Sequence, residues 1–180
     1  SRLHQHAVAK PGERYHYSDS GYILLGLAIE ALYGRPFEQA VADEILIPLG
    51  MNDSYMPWRS QPVNKPAMEL PPSWLNGHDL SRARSMSADH AGGGFATTTK
   101  DLMLFGRAIL DGRLISRKSL EWMSEDLNVF GRGMHYGRGM MRLKMGEFFP
   151  LLASYPEMIG HMGILGTQFF FDVDSGSIIV

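Results

Sequence analysis

The sequence predicts an α+β chain with its helices first and its strands last, and three observations carry that reading. Apolar residues recur at helical spacing between residues 21 and 32 and again between 102 and 110. Prolines and glycines punctuate these stretches. Residues 167–180, TQFFFDVDSGSIIV, set aromatic and β-branched side chains on both sides of Asp174-Ser175-Gly176, which reads as an antiparallel hairpin.

In the first helix Ile23, Leu24, Leu27, Ala28, Ala31 and Leu32 follow the i, i+3, i+4, i+7 rule and are expected to face the core, with Ser18, Asp19 or Ser20 capping the first turn. Gly34 suits a left-handed stop and Pro36 opens a second helix, FEQAVADEILI, which Pro48 is expected to end. Residues 48–51, PLGM, read as a turn. Residues 52–89 carry Pro57, Pro62, Pro66, Pro71 and Pro72 and read as long loops pinned by Met56, Trp58, Met68, Leu70 and Trp74. After AGGGF, Thr98 and Asp101 stand at capping-box spacing before a helix with Leu102, Phe105, Ile109 and Leu110 inward, stopped by Gly112. A shorter helix follows in SRKSLEWMSEDL, with Ser116, Ser119 and Ser124 as surface or capping residues and Leu120 and Met123 on one side. In the hairpin, Phe169 and Phe171 are expected on one face and Phe170 on the other, with both faces covered, and the second strand spans 177–180. A strand that reaches residue 180 with no closing element suggests a truncated boundary.

At 180 residues, 44% hydrophobic and 20% charged, the chain fits one globular domain able to bury roughly 70% of its unfolded surface. The expected organisation is a single partial domain over 1–180, mainly helical with long loops over 11–130 and strand-rich over 131–180. A formal charge of −2 without a basic block argues against a nucleic-acid partner. The absence of cysteine removes disulfides, thiolate metal sites and cysteine nucleophiles, and leaves the compartment undetermined. The longest apolar run, YILLGLAIEALY, contains Glu30 and is shorter than the roughly 20 residues that span a bilayer. No signal-peptide pattern opens the chain. His4 and His6 lack a third ligand at a supporting spacing, so no metal site is expected. The twelve methionines, Met134, Met140, Met141 and Met145 among them, fill a core or line an adaptable cleft.

Residues 16–30, HYSDSGYILLGLAIE, crowd a tyrosine, a serine and an aspartate at a helix mouth. On their own terms Tyr17 is a half-buried aromatic and Asp19 a helix cap. In context, PGERYHYSDSGYILLGLAIEALYGRPFEQAVADEILIPLGM resembles the second-motif region of serine hydrolases related to class C β-lactamases, penicillin-binding proteins and family VIII esterases. AGGGFATTTKDLMLFGRAIL resembles that family's glycine-rich approach to a helix, and GHMGILGTQFFFDVDSG its third motif with the surrounding strand pair. The resemblance implies a β-lactamase/transpeptidase-like fold of which this chain supplies the helical region and part of the antiparallel sheet. It also implies acyl transfer without a cofactor, on a small ester, amide, β-lactam or peptide substrate.

By the same resemblance Tyr17 takes a proton-transfer role, and the backbone N–H of Ile164 is an oxyanion donor on the strand that carries the third motif. Asp19, His161 and Gly163 contact substrate. Asp19 stands where the family more often has Asn, and an ionised Asp accepts hydrogen bonds without donating them. His161 stands where lysine is common and is mostly neutral at pH 7, which leans toward an esterase or peptidase-like substrate; taken alone it reads as a strand-edge histidine bonded to backbone. The family's nucleophile motif, Ser-x-x-Lys, does not occur in these residues, and Thr97-Thr98-Thr99-Lys100 reads as a helix start. The expectation is therefore part of a serine hydrolase, inactive by itself, with a catalytically silent binding module of the same fold as the alternative. If the family's outer strand is missing, an unpaired sheet edge becomes a route to self-association.

Overall fold

The computed structural model describes residues 7–63, 66, 69–125 and 127–180. His4, His6 and Met68 lie outside the described residues.

Helix α1 (Asp19–Tyr33) starts after an extended Ser18 and ends at Gly34, whose φ of 65° lets its N–H reach the Glu30 carbonyl. Its packed side is not the predicted one. Gly26 is buried and faces the 3-10 segment Arg84–Gly92, whereas Leu24, Leu25, Leu27 and Leu32 point outward. The apolar stripe has correct helical spacing, but among the described residues nothing covers it.

Helix α2 (Phe37–Val41) widens into a π-helical turn, Ala42–Leu46, and continues as α3 (Ile47–Leu49) to a left-handed Gly50. Pro48 therefore does not stop the helix. The Ile47 N–H bonds back to the Ala42 carbonyl, and this wider spacing accommodates a ring that would crowd the preceding turn of a regular α-helix. The predicted loops are largely irregular but include a small hairpin, β1 (Trp74–Leu75) with β2 (His78–Asp79), turned by Asn76-Gly77 at φ 49° and 80°. That dipeptide is a standard hairpin signal, which the surrounding prolines obscured.

Helix α4 (Thr99–Leu110) begins as predicted: the Asp101 N–H donates to the Thr98 hydroxyl at 3.2 Å. The fully buried Asp101 carboxylate also accepts from the Asp53 N–H at 2.9 Å and the Ser54 hydroxyl at 2.8 Å, tying α4 to the chain leaving α3. Helix α5 (Arg117–Met123) is capped by Ser116 and buries Leu120.

The sheet is larger than a hairpin. Strands β3 (Asn128–Gly131), β4 (Met134–Tyr136), β5 (Met141–Leu143), β6 (Met158–Met162), β7 (Gln168–Phe171) and β8 (Ile178–Ile179) form an antiparallel meander in chain order, with short helix α6 (Met145–Phe148) between β5 and β6. Most strands are too short and glycine-flanked for alternation to show in sequence. The second hairpin strand is Ile178–Ile179 rather than 177–180.

One face buries Ile159 and Phe171 with Ile109 of α4 and Leu120 of α5, and Phe169 joins it beside Phe105; the other buries Phe170 with Tyr136, Met141 and Met158 against Tyr15. The phenylalanines thus divide as expected. Among the described residues β3 and β8 are unpaired edges, and a register shift between Val129 and Gly131 interrupts the first.

Two stability predictions follow from these caps. Asp101→Ala removes the acceptor of the Asp53 N–H and the buried Ser54 hydroxyl and should cost about 2 kcal/mol, read as a lower urea midpoint. Buried Asp172 accepts from the N–H groups of Asp174 (3.0 Å) and Ser175 (3.2 Å) across the β7–β8 turn; the Ser175 hydroxyl first, then these N–H groups, hold its carboxyl below its ordinary value. Its contribution is complete above the unfolded-state value of about 4 and is lost as pH falls through the folded one. Denaturation between pH 5 and about 2 should show this loss, and Asp172→Asn should weaken the pH dependence.

Candidate active site

Tyr15 and Tyr17 lie two residues apart in the extended segment before α1 and approach the same neighbour. Tyr15 is anchored against Tyr136 at 5.8 Å between ring centres, with its hydroxyl buried. Tyr17, partly exposed, meets Phe130 at 5.6 Å, Tyr136 edge-on at 5.7 Å and His161 at 6.4 Å. Segments from opposite ends of the chain therefore share one aromatic cluster.

His161 closes the cluster through two hydrogen bonds. Its Nδ1 is 2.8 Å from the Met162 carbonyl, which can only accept, so Nδ1 carries a proton. Its Nε2 lies 2.7 Å from the buried Tyr136 hydroxyl. Burial, and then a hydrogen bond with Tyr22, push the Tyr136 phenol far above its ordinary value, so it stays protonated.

The charges around Tyr17 are negative. Burial, then Asp19, Tyr22 and Asp89, raise its phenol above the ordinary value. Asp89 is itself raised by burial and by Asp19. The Asp89 carboxylate lies against the backbone of Gly92 and Gly93, where an added Cβ would come within 2.7 and 2.5 Å of its oxygens, so the glycine run leaves room for this acid. Asp19, exposed at the first turn of α1, is within electrostatic reach of both groups.

Gly163 and Ile164 follow β6 directly. Ile164 is not on the strand, as anticipated, but 80% exposed in the β6–β7 turn, which the Gly163 N–H closes on the Thr167 carbonyl at 2.7 Å and the Gly166 N–H on the Gly163 carbonyl at 3.0 Å. Gly166, at φ 89°, makes this a tight turn rather than a longer strand. Leu165 to Gln168 also line a cleft of about 640 Å³ together with Trp58, Trp74 and Phe95.

The structure thus gathers Tyr17 and His161, with Asp19 near Tyr17 and Gly163 and Ile164 just beyond His161. Sequence reasoning missed Tyr136 and Asp89. The glycines at 92–94 hinted at a close approach but not at its occupant; the three-residue strand holding Tyr136 has no periodic signature.

The structure thus sets a helical layer against an antiparallel sheet, with Tyr17 and His161 meeting between them. The Beta-lactamase family model matches residues 2–180, and the chain belongs to that family. It is similar to a protein named putative D-alanyl-D-alanine carboxypeptidase from Escherichia coli O157:H7, 25% identical over 191 residues covering 91% of this chain and 43% of that protein. Among solved structures, the D-amino acid amidase from Ochrobactrum anthropi SV3 complexed with D-phenylalanine superposes with a TM-score of 0.74 at 23% identity, over 94% of this chain and 51% of the other. A D-stereospecific amidohydrolase from Streptomyces sp. gives 0.71 at 28% identity over 93% and 49%. The fold is β-lactamase/transpeptidase-like, and the chain spans about half the length of these relatives. No described helix is long and apolar enough to cross a membrane.

The electrostatics predict that the Tyr17 midpoint, followed by NMR of ring-labelled tyrosine, lies above about 10. Asp19→Asn should lower it by removing a charge that opposes the phenolate, and Lys100→Gln should leave it unmoved.

Proposed function

We propose that the chain is one part of a serine hydrolase that works through an acyl-enzyme, with the nucleophile supplied by a Ser-x-x-Lys segment outside these 180 residues. The observation carrying this reading is the approach of Tyr17 to His161, motif residues from opposite ends of the chain, at 6.4 Å between ring centres. In this scheme the serine oxygen bonds to the substrate carbonyl carbon, and the Ile164 N–H receives the resulting oxyanion. Tyr17 relays the serine proton toward the leaving group as the carbon–leaving-group bond breaks. Water then releases the acyl group.

The phenol raised by burial and by neighbouring carboxylates suits a relay that stays protonated; holding it as a phenolate requires a cation, which the lysine of Ser-x-x-Lys would bring. A histidine at 161 is not the permanent cation that a lysine would offer a substrate carboxylate, which favours an ester or an amide. The names of the amidase and amidohydrolase neighbours favour the amide. Asp19 and Gly163 complete the substrate contacts. The negative surroundings of Tyr17 also favour a second reading, a catalytically silent binding module of the same fold.

The purified chain should not turn over a chromogenic short-chain ester, a D-amino acid anilide or a chromogenic cephalosporin. The longer gene product should, with a loss on the order of 10⁶ when the serine of its Ser-x-x-Lys is removed. Turnover by the 180-residue chain that disappears in Tyr17→Phe would refute the division of labour, with Ser18 the first nucleophile to suspect. A longer product lacking both Ser-x-x-Lys and hydrolysis selects the binding module.

A further inference from the structure

The cleft beside the β6–β7 turn takes no part in the chemistry above. Trp58, Trp74 and Phe95 open onto it at 40%, 66% and 39% exposure. Among the described residues that line it no side chain carries a charge, and its polar groups are serine and threonine hydroxyls and the Gln168 amide. Large rings gathered at one opening, rather than scattered singly, mark a ligand groove. Each ring is also held by its backbone. Trp58 has φ 64°, a conformation a bulky residue keeps only when its surroundings impose it, and the N–H groups of Arg59 and Ser60 close the turn around it on the Met56 carbonyl at 3.0 and 2.8 Å. Trp74 stands in β1, paired with Asp79 across the Asn76-Gly77 turn. Phe95 precedes Ala96, which exchanges two backbone hydrogen bonds with Tyr55 at 3.0 and 2.9 Å. Rings fixed in this way leave little ordering for a ligand to impose.

We propose that this cleft receives the acyl group of the substrate and selects an uncharged arylalkyl group, with Trp58, Trp74 and Phe95 as the specificity-determining residues. The inference rests on the functional reading above for the direction in which the substrate lies. In that reading the carbonyl oxygen is received at Ile164 and the leaving group lies toward Tyr17. Leu165, the next residue, lines the cleft, whereas Tyr17, Tyr136 and His161 do not, so the substituent on the other side of the carbonyl is the one that enters. A volume of about 640 Å³ leaves an acetyl group largely in water and accepts an aromatic ring with its linker. Stacking of that ring on an indole face adds to its burial. A carboxylate there would lose its water for no partner of opposite charge, and no acid lines the cleft to receive an ammonium.

The test uses the longer gene product and esters that share one leaving group, p-nitrophenol: the acetate, the phenylpropanoate, and phenylpropanoates bearing a carboxylate or a trimethylammonium on the ring. The phenylpropanoate should exceed the acetate and both charged esters in kcat/KM by at least about tenfold. Trp58→Ala and Trp74→Ala should each bring the phenylpropanoate-to-acetate ratio down toward one, and Trp122→Phe should leave that ratio as it was. Binding is read separately, by fluorine NMR of fluorotryptophan-labelled protein titrated with benzylacetone, an uncharged aryl ketone that cannot be hydrolysed. The Trp58 and Trp74 resonances, assigned from Trp58→Phe and Trp74→Phe, should shift saturably. That of Trp122, whose ring carries the Arg138 guanidinium at 4.5 Å, should stay in place. Unmoved Trp58 and Trp74 resonances, a ratio unchanged in both alanine variants, or a higher rate with either charged ester would overturn the proposal. Shifts at both tryptophans in a product that hydrolyses none of the esters would keep the cleft as an aryl site and remove the acyl-enzyme reading, whereas hydrolysis without those shifts removes the cleft assignment alone.

Discussion

One carboxylate holds the helical layer together. Glu30 accepts from the Phe37 N–H at 3.0 Å and pairs with His90 Nε2 at 3.2 Å, so α1, the start of α2 and the 3-10 segment meet on a single side chain. The backbone N–H first, then His90, keep the Glu30 carboxyl below its ordinary value. His90 sits with φ 51°, a conformation a non-glycine residue adopts only when its surroundings impose it, and its ring presses on Gly26, where a Cβ would come within 2.5 Å of Nδ1. Gly26 is therefore a contact surface and not a weak point in the helix. The close approach it permits sets the distance between α1 and the segment that ends in the glycine run.

That distance fixes the chemistry downstream. His90 is preceded by Asp89, and α1 begins with Asp19, so the same contact that seats the histidine brings two carboxylates to the neighbourhood of Tyr17. From the other side, the sheet contributes Tyr136 and His161 through strands whose positions depend on the two packed faces around Phe170 and Phe171. Tyr17 thus lies where the helical layer and the sheet meet. Burial and acids from one layer raise its phenol, and aromatic rings from the other confine it.

The legible parts of this architecture were those encoded within one turn or one hairpin. Thr98 with Asp101, Ser116 with Ser119, Gly34, and the facing of Phe169 to Phe171 all follow from contacts between residues near in sequence. Tyr17 and His161 were found through motif resemblance, and their proximity is a tertiary fact that no local pattern encodes. The stripe on α1 shows a different failure: periodicity reports that a face is apolar, not whether its partner is in the same stretch of chain. Pro48 shows a third, because a π-helical turn lets a helix pass a residue expected to end it. The short strands from 128 to 143 are stabilised by their neighbours in the sheet, and their own composition carries little strand signal.

These observations separate what holds the chain together from what its site needs. The two clusters around the sheet, the Asp101 hub and the Glu30 contact are closed by residues within the described chain. The Tyr17 cluster is different in kind: burial and nearby acids both oppose ionisation of its phenol. Fold stability gains nothing from this imbalance, since burial and carboxylates both make the phenolate costlier. Only a cation brought close to the phenol would offset that cost, so a tyrosine held in these surroundings is suited to pass a proton on rather than to rest as the anion.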